Sequence, residues 1–117
     1  MYPLLKTENL DHWIGLTITK VLVDADSLLV RTDNDDEYFH AYTAGIIDNG
    51  APALNGSLRG QEMIQSKIGR TITGYDIEED ASLTFKLDDG SWIILYVVDD
   101  GYECFTLCGG AEHGLIV

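Results

Sequence analysis

A chain of 117 residues with 45% hydrophobic and 23% charged residues is long enough for one domain with its own core and too apolar for a disordered segment. Twenty Asp and Glu stand against seven Lys and Arg, a formal charge of -13, which argues against direct binding to nucleic-acid phosphates or to anionic membrane surfaces. No apolar run approaches the roughly 18 residues of a membrane-spanning helix, and Met1 to Lys6 lack the basic-then-apolar pattern of a signal peptide, so a cytoplasmic location is expected.

The first element expected is a short helix over residues 7–13, with Thr7 as N-cap and Leu10, Trp13 and Ile14 on one face at helical spacing. Gly15 ends it, because glycine tolerates the positive φ that follows a helix terminus. Residues 16–23 and 28–32 are rich in Val, Leu, Ile and Thr and read as strands, separated by the polar turn 24–27. A second turn, 33–36, leads to a third strand over 37–43. Residues 48–57, with Gly50, Pro52 and Gly56, read as a linker loop.

A second helix is expected over 58–68, capped by Ser57 and presenting Leu58, Met63, Ile64 and Ile68, with Gly69 just beyond it. Strands follow at 70–77, 83–87 and 91–98. Leu83, Phe85 and Leu87 alternate with Thr84 and Lys86, the pattern of a half-buried strand, and Asp88-Asp89-Gly90 supplies a hairpin turn. A fourth strand is expected over 102–108, and the apolar tail 115–117 reads as an edge strand.

These elements look like two copies of one unit. Residues 8–42 and 62–96 align without a gap at a shift of 54, with ten identities in 35 positions; about two or three are expected by chance from ordinary residue usage. The phrase Ile-Gly-x-Thr-Ile-Thr occurs at 14–19 and again at 68–73. The expected fold is therefore a β-rich α+β domain in which two tandem helix-plus-β-meander repeats form one pseudo-symmetric sandwich or small barrel of seven or eight strands. A half of about 55 residues would struggle to bury a core of its own.

The chemistry-bearing residues are sparse. Cys104 and Cys108 lie four residues apart, about 13 Å on an extended strand, which is too far for a disulfide. With His113 and either His12 or His40 they could make a zinc set, but the paired Cys-x-x-Cys spacing is missing. Residues 33–37 resemble a calcium loop only in their acids, without its central glycine or distal glutamate. No nucleophile elbow or phosphate-binding glycine loop occurs, so no catalytic residue, metal or cofactor is expected. An enzyme would need a cleft holding His40 or His113 beside Cys104 or a carboxylate.

The expected role is a small acidic, non-enzymatic interaction module, such as an accessory, immunity or inhibitor protein of a bacterium or phage, that binds a partner with a basic surface. Charge complementarity would supply the on-rate and aromatic anchors the affinity. The candidate anchors are Tyr38, Tyr42, Trp92, Tyr96 and Tyr102, and the candidate acidic contacts are Asp35, Asp36, Asp88 and Asp89. The alternative is a β-barrel that binds a small molecule in an aromatic-lined cavity. A homodimer is expected through an unprotected edge, either 115–117 or 102–108.

Overall fold

Runs rich in Val, Ile, Leu and Thr form most of the chain's strands, and in the computed structural model the described residues make ten antiparallel strands and one α-helix. Residues 3–98, 104–108 and 115–117 are described. The strands are β1 (Ile18–Val23), β2 (Leu28–Thr32), β3 (Tyr38–Ala41), β4 (Ala44–Asp48), β5 (Ala51–Leu54), β6 (Ile72–Glu78), β7 (Ser82–Leu87), β8 (Trp92–Tyr96), β9 (Phe105–Cys108) and β10 (Leu115–Ile116), and the helix α1 (Leu58–Gln65) lies between β5 and β6. The class is β-rich α+β. One sheet has the order β1-β2-β3-β9-β10 and the other β5-β4-β8-β7-β6.

Each sheet therefore draws on both halves of the chain. β4, with β5 on its other side, leaves the first meander to pair with β8, and β9, with β10 beyond it, returns to pair with β3. Neither three-stranded meander is complete without strands from elsewhere. The inward residues of the two sheets meet in one core. Phe39 from β3 stacks on Phe85 from β7 with ring centroids 5.1 Å apart, and Trp13 packs on both at 6.0 and 5.4 Å. All three rings are buried.

The sheets are also stitched along the neighbouring edges of β1 and β6. Thr17 and Thr71 form an isolated antiparallel bridge. Around it Gly15 N donates to Ile72 O, Ile18 N to Arg70 O, Gly69 N to Ile18 O and Ile72 N to Leu16 O, each at 2.8 Å. Gly15 and Gly69 both adopt positive φ, 94° and 92°, as expected from sequence. The β1–β2 and β6–β7 registers each slip once, between Ile18 and Lys20 and between Ile72 and Gly74.

Several expectations need correction. The helix expected at 7–13 is only a 3-10 turn, Asp11–Trp13, without a side-chain cap from Thr7; the Asn9 Oδ1 accepts from Asp11 N instead. The second helix stops at Gln65, with Ser57 capping it through Gly60 N as expected. Leu58 is 77% exposed and is not a core residue. The segment 48–57 is not a linker loop, because it contains β5 and the β4–β5 turn. Asn49 and Gly50 carry φ of 52° and 76°, the double positive φ that a two-residue hairpin turn requires. Pro52 is tolerated because β5 is an outer strand. Of the expected edge 102–108, β9 does not offer a free edge, since it lies between β3 and β10; residues 102 and 103 lie outside the described residues.

Two details hold α1 in place. It packs on β5, β4 and β1, and a Cβ at Gly60 would overlap the Leu54 carbonyl, so the helix approaches β5 at backbone distance. Buried Asn55 then ties four segments together. Its Oδ1 accepts from Ala44 N, its Nδ2 donates to Asp24 O and Tyr42 O, and its carbonyl accepts from Gln61 Nε2.

Candidate interaction faces

Alternation along each strand leaves an outward face on each sheet, and the two faces differ in charge and in aromatic content. On the second sheet, β8 turns Trp92, Ile94 and Tyr96 outward, while Ile93 and Leu95 enter the core. Cross-strand pairing places Trp92 beside Ile47 and Lys86, with Pro52 beyond Ile47, and places Ile94 between Gly45 and Thr84, with Leu54 beyond Gly45. Tyr96 lies over Gly45, where an added Cβ would stand 2.9 Å from the ring. Trp92 is 41% exposed and Leu54 50%, so this is an aromatic and aliphatic surface open to solvent. Its acids are Asp76 and Glu78 on β6. Lys86 Nζ binds Asp76 at 2.8 Å and lies 5.6 Å from the Trp92 ring.

On the first sheet, Tyr38 and His40 point outward from β3, with Tyr42 just beyond the strand end. Tyr42 is 49% exposed and meets the His40 ring edge-on at 4.9 Å. Arg31 lies 5.0 Å from the Tyr38 ring. Cys108 is the cross-strand neighbour of Tyr38; its hydrogen bond and charge, with burial, push the Tyr38 phenol above its ordinary value, and nearby Arg31 only partly opposes this. The strand residues facing outward here include Lys20, Leu22, Leu29, Arg31 and Thr106, and no Asp or Glu.

The four described candidate anchors thus separate into two pairs on two different sheets. Tyr102 lies outside the described residues. Asp35 and Asp36 are exposed in the β2–β3 turn. Asp88 lies 3.9 Å from Arg70. Asp89 is engaged inside the molecule: its Oδ2 takes a 2.8 Å bond from Lys67 Nζ, and its Oδ1 accepts from Ser91 N and Oγ.

Lys67, 4% exposed, is the centre of that arrangement, because it also binds Asp48 Oδ2 at 2.8 Å. Burial pushes its ammonium down, but the two carboxylates raise it further, so the net shift is upward. For Asp89 burial pushes the carboxyl up, while the bonds from Lys67 and Ser91 and the Lys67 charge hold it well below the usual carboxylate range. The group joins the chain after α1 to β4 and to the β7–β8 hairpin. Sequence reading missed it, since one lysine in an acidic chain gives no sign of burial.

A buried carboxylate, Glu37, lies beneath the β2–β3 turn. Its Oε2 has no hydrogen-bond partner and stands 3.6 Å from His12 Nε2. Neither Cys104 nor Cys108 is in a disulfide, and Val98 N donates to Cys104 Sγ at 3.2 Å. His40 is on the outward face, away from the buried Cys104, and His113 lies outside the described residues. Among the described residues no group of three His, Cys, Asp or Glu side chains is placed to hold a metal ion, and no helix is long and apolar enough to cross a membrane. A shallow, open depression of about 420 Å³ between α1 and β1 is lined by Val23, Gln61, Glu62, Gln65 and Ser66.

Comparison with family models, curated proteins and solved structures finds no significant match.

Proposed function

We propose that the chain is a non-enzymatic interaction module that docks a protein partner bearing basic residues on the outward face of its second sheet. The carrying observation is the exposed Trp92 beside Ile47, on a face that also carries Ile94, Tyr96 and exposed Leu54 and is bordered by Asp76 and Glu78 in a chain of net charge -13. Trp and Tyr anchors bury much area at little entropic cost and dominate interface energies. The surrounding negative field would steer a cationic partner toward them. The small-molecule-barrel reading is less favoured, because Trp13, Phe39 and Phe85, the inward aromatics, fill the space between the sheets with one another. An intracellular accessory, immunity or inhibitor role fits a module of this kind.

A lysine-rich amphipathic peptide is a suitable probe. Trp13 is buried, so a change in tryptophan fluorescence on titration would report Trp92. We expect saturable binding at low salt that weakens with salt, and a loss of at least tenfold in affinity in Trp92→Ala. Binding that is indifferent to Trp92→Ala overturns this reading.

The same proposal includes descent from a duplicated unit. What supports it is correspondence at a constant offset. The β1 and β6 register slips, the two positive-φ glycines and the hydrogen bonds around Thr17 and Thr71 recur 54 residues apart. Arg31 over Tyr38 corresponds to Lys86 over Trp92. β2 and β7 correspond at 55 rather than 54, since Val21 pairs with Val30 and Tyr75 with Phe85. On this reading the second half gains a residue in its first turn and loses one in its next, and the Leu29/Leu83 identity of the ungapped alignment falls out of register.

A further inference from the structure

We propose that this chain assembles head to tail, with the outward face of the first sheet in one copy seated on the outward face of the second sheet in the next. The inference rests on reading that second face as a docking surface, and it names a second copy of the chain as an occupant.

The first sheet carries an electrostatic anomaly. Lys20 and Arg31 are direct cross-strand partners, and like charges placed opposite each other destabilise a sheet. Twenty carboxylates are available in the chain, yet among the described residues neither cation forms an ion pair, and no strand residue turned outward on this sheet is acidic. The corresponding cation of the second sheet, Lys86, is neutralised by Asp76; the position opposite Leu29 on the first sheet holds Leu22, which is 52% exposed. An unrelieved cationic pair beside half-buried Tyr38, with exposed Leu22 and Tyr42 on the same face, is suited to an acidic surface with apolar anchors. The second sheet has that character, with Asp76, Glu78, Trp92 and Leu54.

Symmetry favours the head-to-tail arrangement. A two-fold dimer through either face sets that face against itself, so the unpaired cations Lys20 and Arg31 would stand on both sides of one interface, or the acids Asp76 and Glu78 on both sides of the other. Joining unlike faces pairs opposite charges. Five strands about 4.8 Å apart, with about five residues at about 3.3 Å each, give about 400 Å² per face. That is about half the usual area per partner, so the association should be weak, and it must also work against repulsion between two chains of charge -13.

The test is complementation between two disabled chains, read by sedimentation velocity from about 10 µM to about 1 mM. One variant carries Lys20→Glu with Arg31→Glu; the other carries Trp92→Ala with Glu78→Lys. All these side chains are at the surface, and unchanged circular dichroism confirms folding. The milder pair Lys20→Gln with Arg31→Gln replaces the first variant if reversal unfolds it. We expect the wild-type mass to rise with concentration, each variant to remain monomeric, and an equimolar mixture to give a 1:1 dimer that grows no further, because each chain retains one working face. Wild type that stays monomeric to 1 mM overturns the assembly, as does either variant associating as well as wild type when alone. If wild type stays monomeric while the lysine-rich peptide still binds through Trp92, only the self-assembly falls; if peptide binding is also lost, the docking face itself was misread.

Discussion

The hydroxyls of Thr17 and Thr71 lie 3.0 Å apart, at an isolated antiparallel bridge that joins the two sheets and links positions 54 residues apart in the chain. Both residues are half-buried, so each hydroxyl is the other's partner in a place where water only partly replaces it. Removing either leaves the other underused. Thr17→Val and Thr71→Val keep the β-branched shape and should each cost about 1 kcal/mol. The double variant should cost little more than either single one, because both remove the same bond. Urea unfolding of the four proteins measures the coupling; full additivity would mean that the two hydroxyls act independently.

Gly60 decides how closely α1 sits on β5. Alanine ordinarily improves a helix interior by about 1 kcal/mol over glycine. Here the added methyl would overlap the Leu54 carbonyl, and backbone cannot give way as a side-chain end can. We expect Gly60→Ala to destabilise the protein by about 3 kcal/mol, the upper part of the usual overpacking range. The neighbouring Arg59→Ala, on the exposed side of the helix, should change stability by less than about 0.5 kcal/mol. Thermal unfolding of the two variants separates close approach from helix propensity.

The pairing of Asp89 with Lys67 sets an acid limit to stability. Asp89 is held below its ordinary value of 3.8, so the unfolded chain takes up its proton first as pH falls. Its contribution is complete above about pH 4 and is lost as pH falls from there through the lower pKa of the folded state. Lys67 is raised above its ordinary 10.5, so its contribution is present below that pH and is lost only as pH rises through the folded value. Asp89→Asn should therefore flatten the acid limb of stability against pH. Lys67→Met, which leaves two carboxylates facing each other, should cost about 3 kcal/mol near neutrality. Guanidinium midpoints at several pH values test both.

The charge of -13 predicts a salt response opposite to that of a protein held together by surface ion pairs. Raising ionic strength from 0.01 to 0.1 M shortens the screening length from about 30 Å to about 10 Å. Repulsion among the exposed turn acids is weakened more than the partly buried Lys67 pairs. The thermal midpoint at pH 7 should rise by several degrees, and a fall would show that attraction outweighs repulsion across the surface.

The strands of the two meanders were legible in the residues themselves. Val, Ile, Leu and Thr density and period-2 alternation placed β1, β2, β3, β6, β7 and β8 to within a few residues of their ends, and Gly15, Gly69 and Gly90 fell at positive φ because only glycine takes that backbone freely. Ser57 capped α1 as its position indicated. The hairpin of β4 and β5 was also written locally, in Asn49-Gly50, but Pro52 and Gly56 made the segment resemble a loop.

Other features depended on partners distant in sequence. Period 2 shows which residues share a face, but not which of two faces meets the core or which strands become neighbours. Only folding placed β9 between β3 and β10, removing an expected free edge, and moved β4 and β5 to the other sheet. Trp92 and Tyr96 could serve as anchors only because β8 buries Ile93 and Leu95 and turns the alternate residues outward. Lys67 and Asp89 are ordinary surface types by composition. The burial of Lys67 follows from the approach of the chain after α1 to the β7–β8 turn, where two carboxylates compensate the loss of water around its ammonium. Composition and alternation determined the class and most of the strands, whereas pairing between distant segments decided which aromatics and charges stand together on a face, because those contacts form only when the sheets close over a common core.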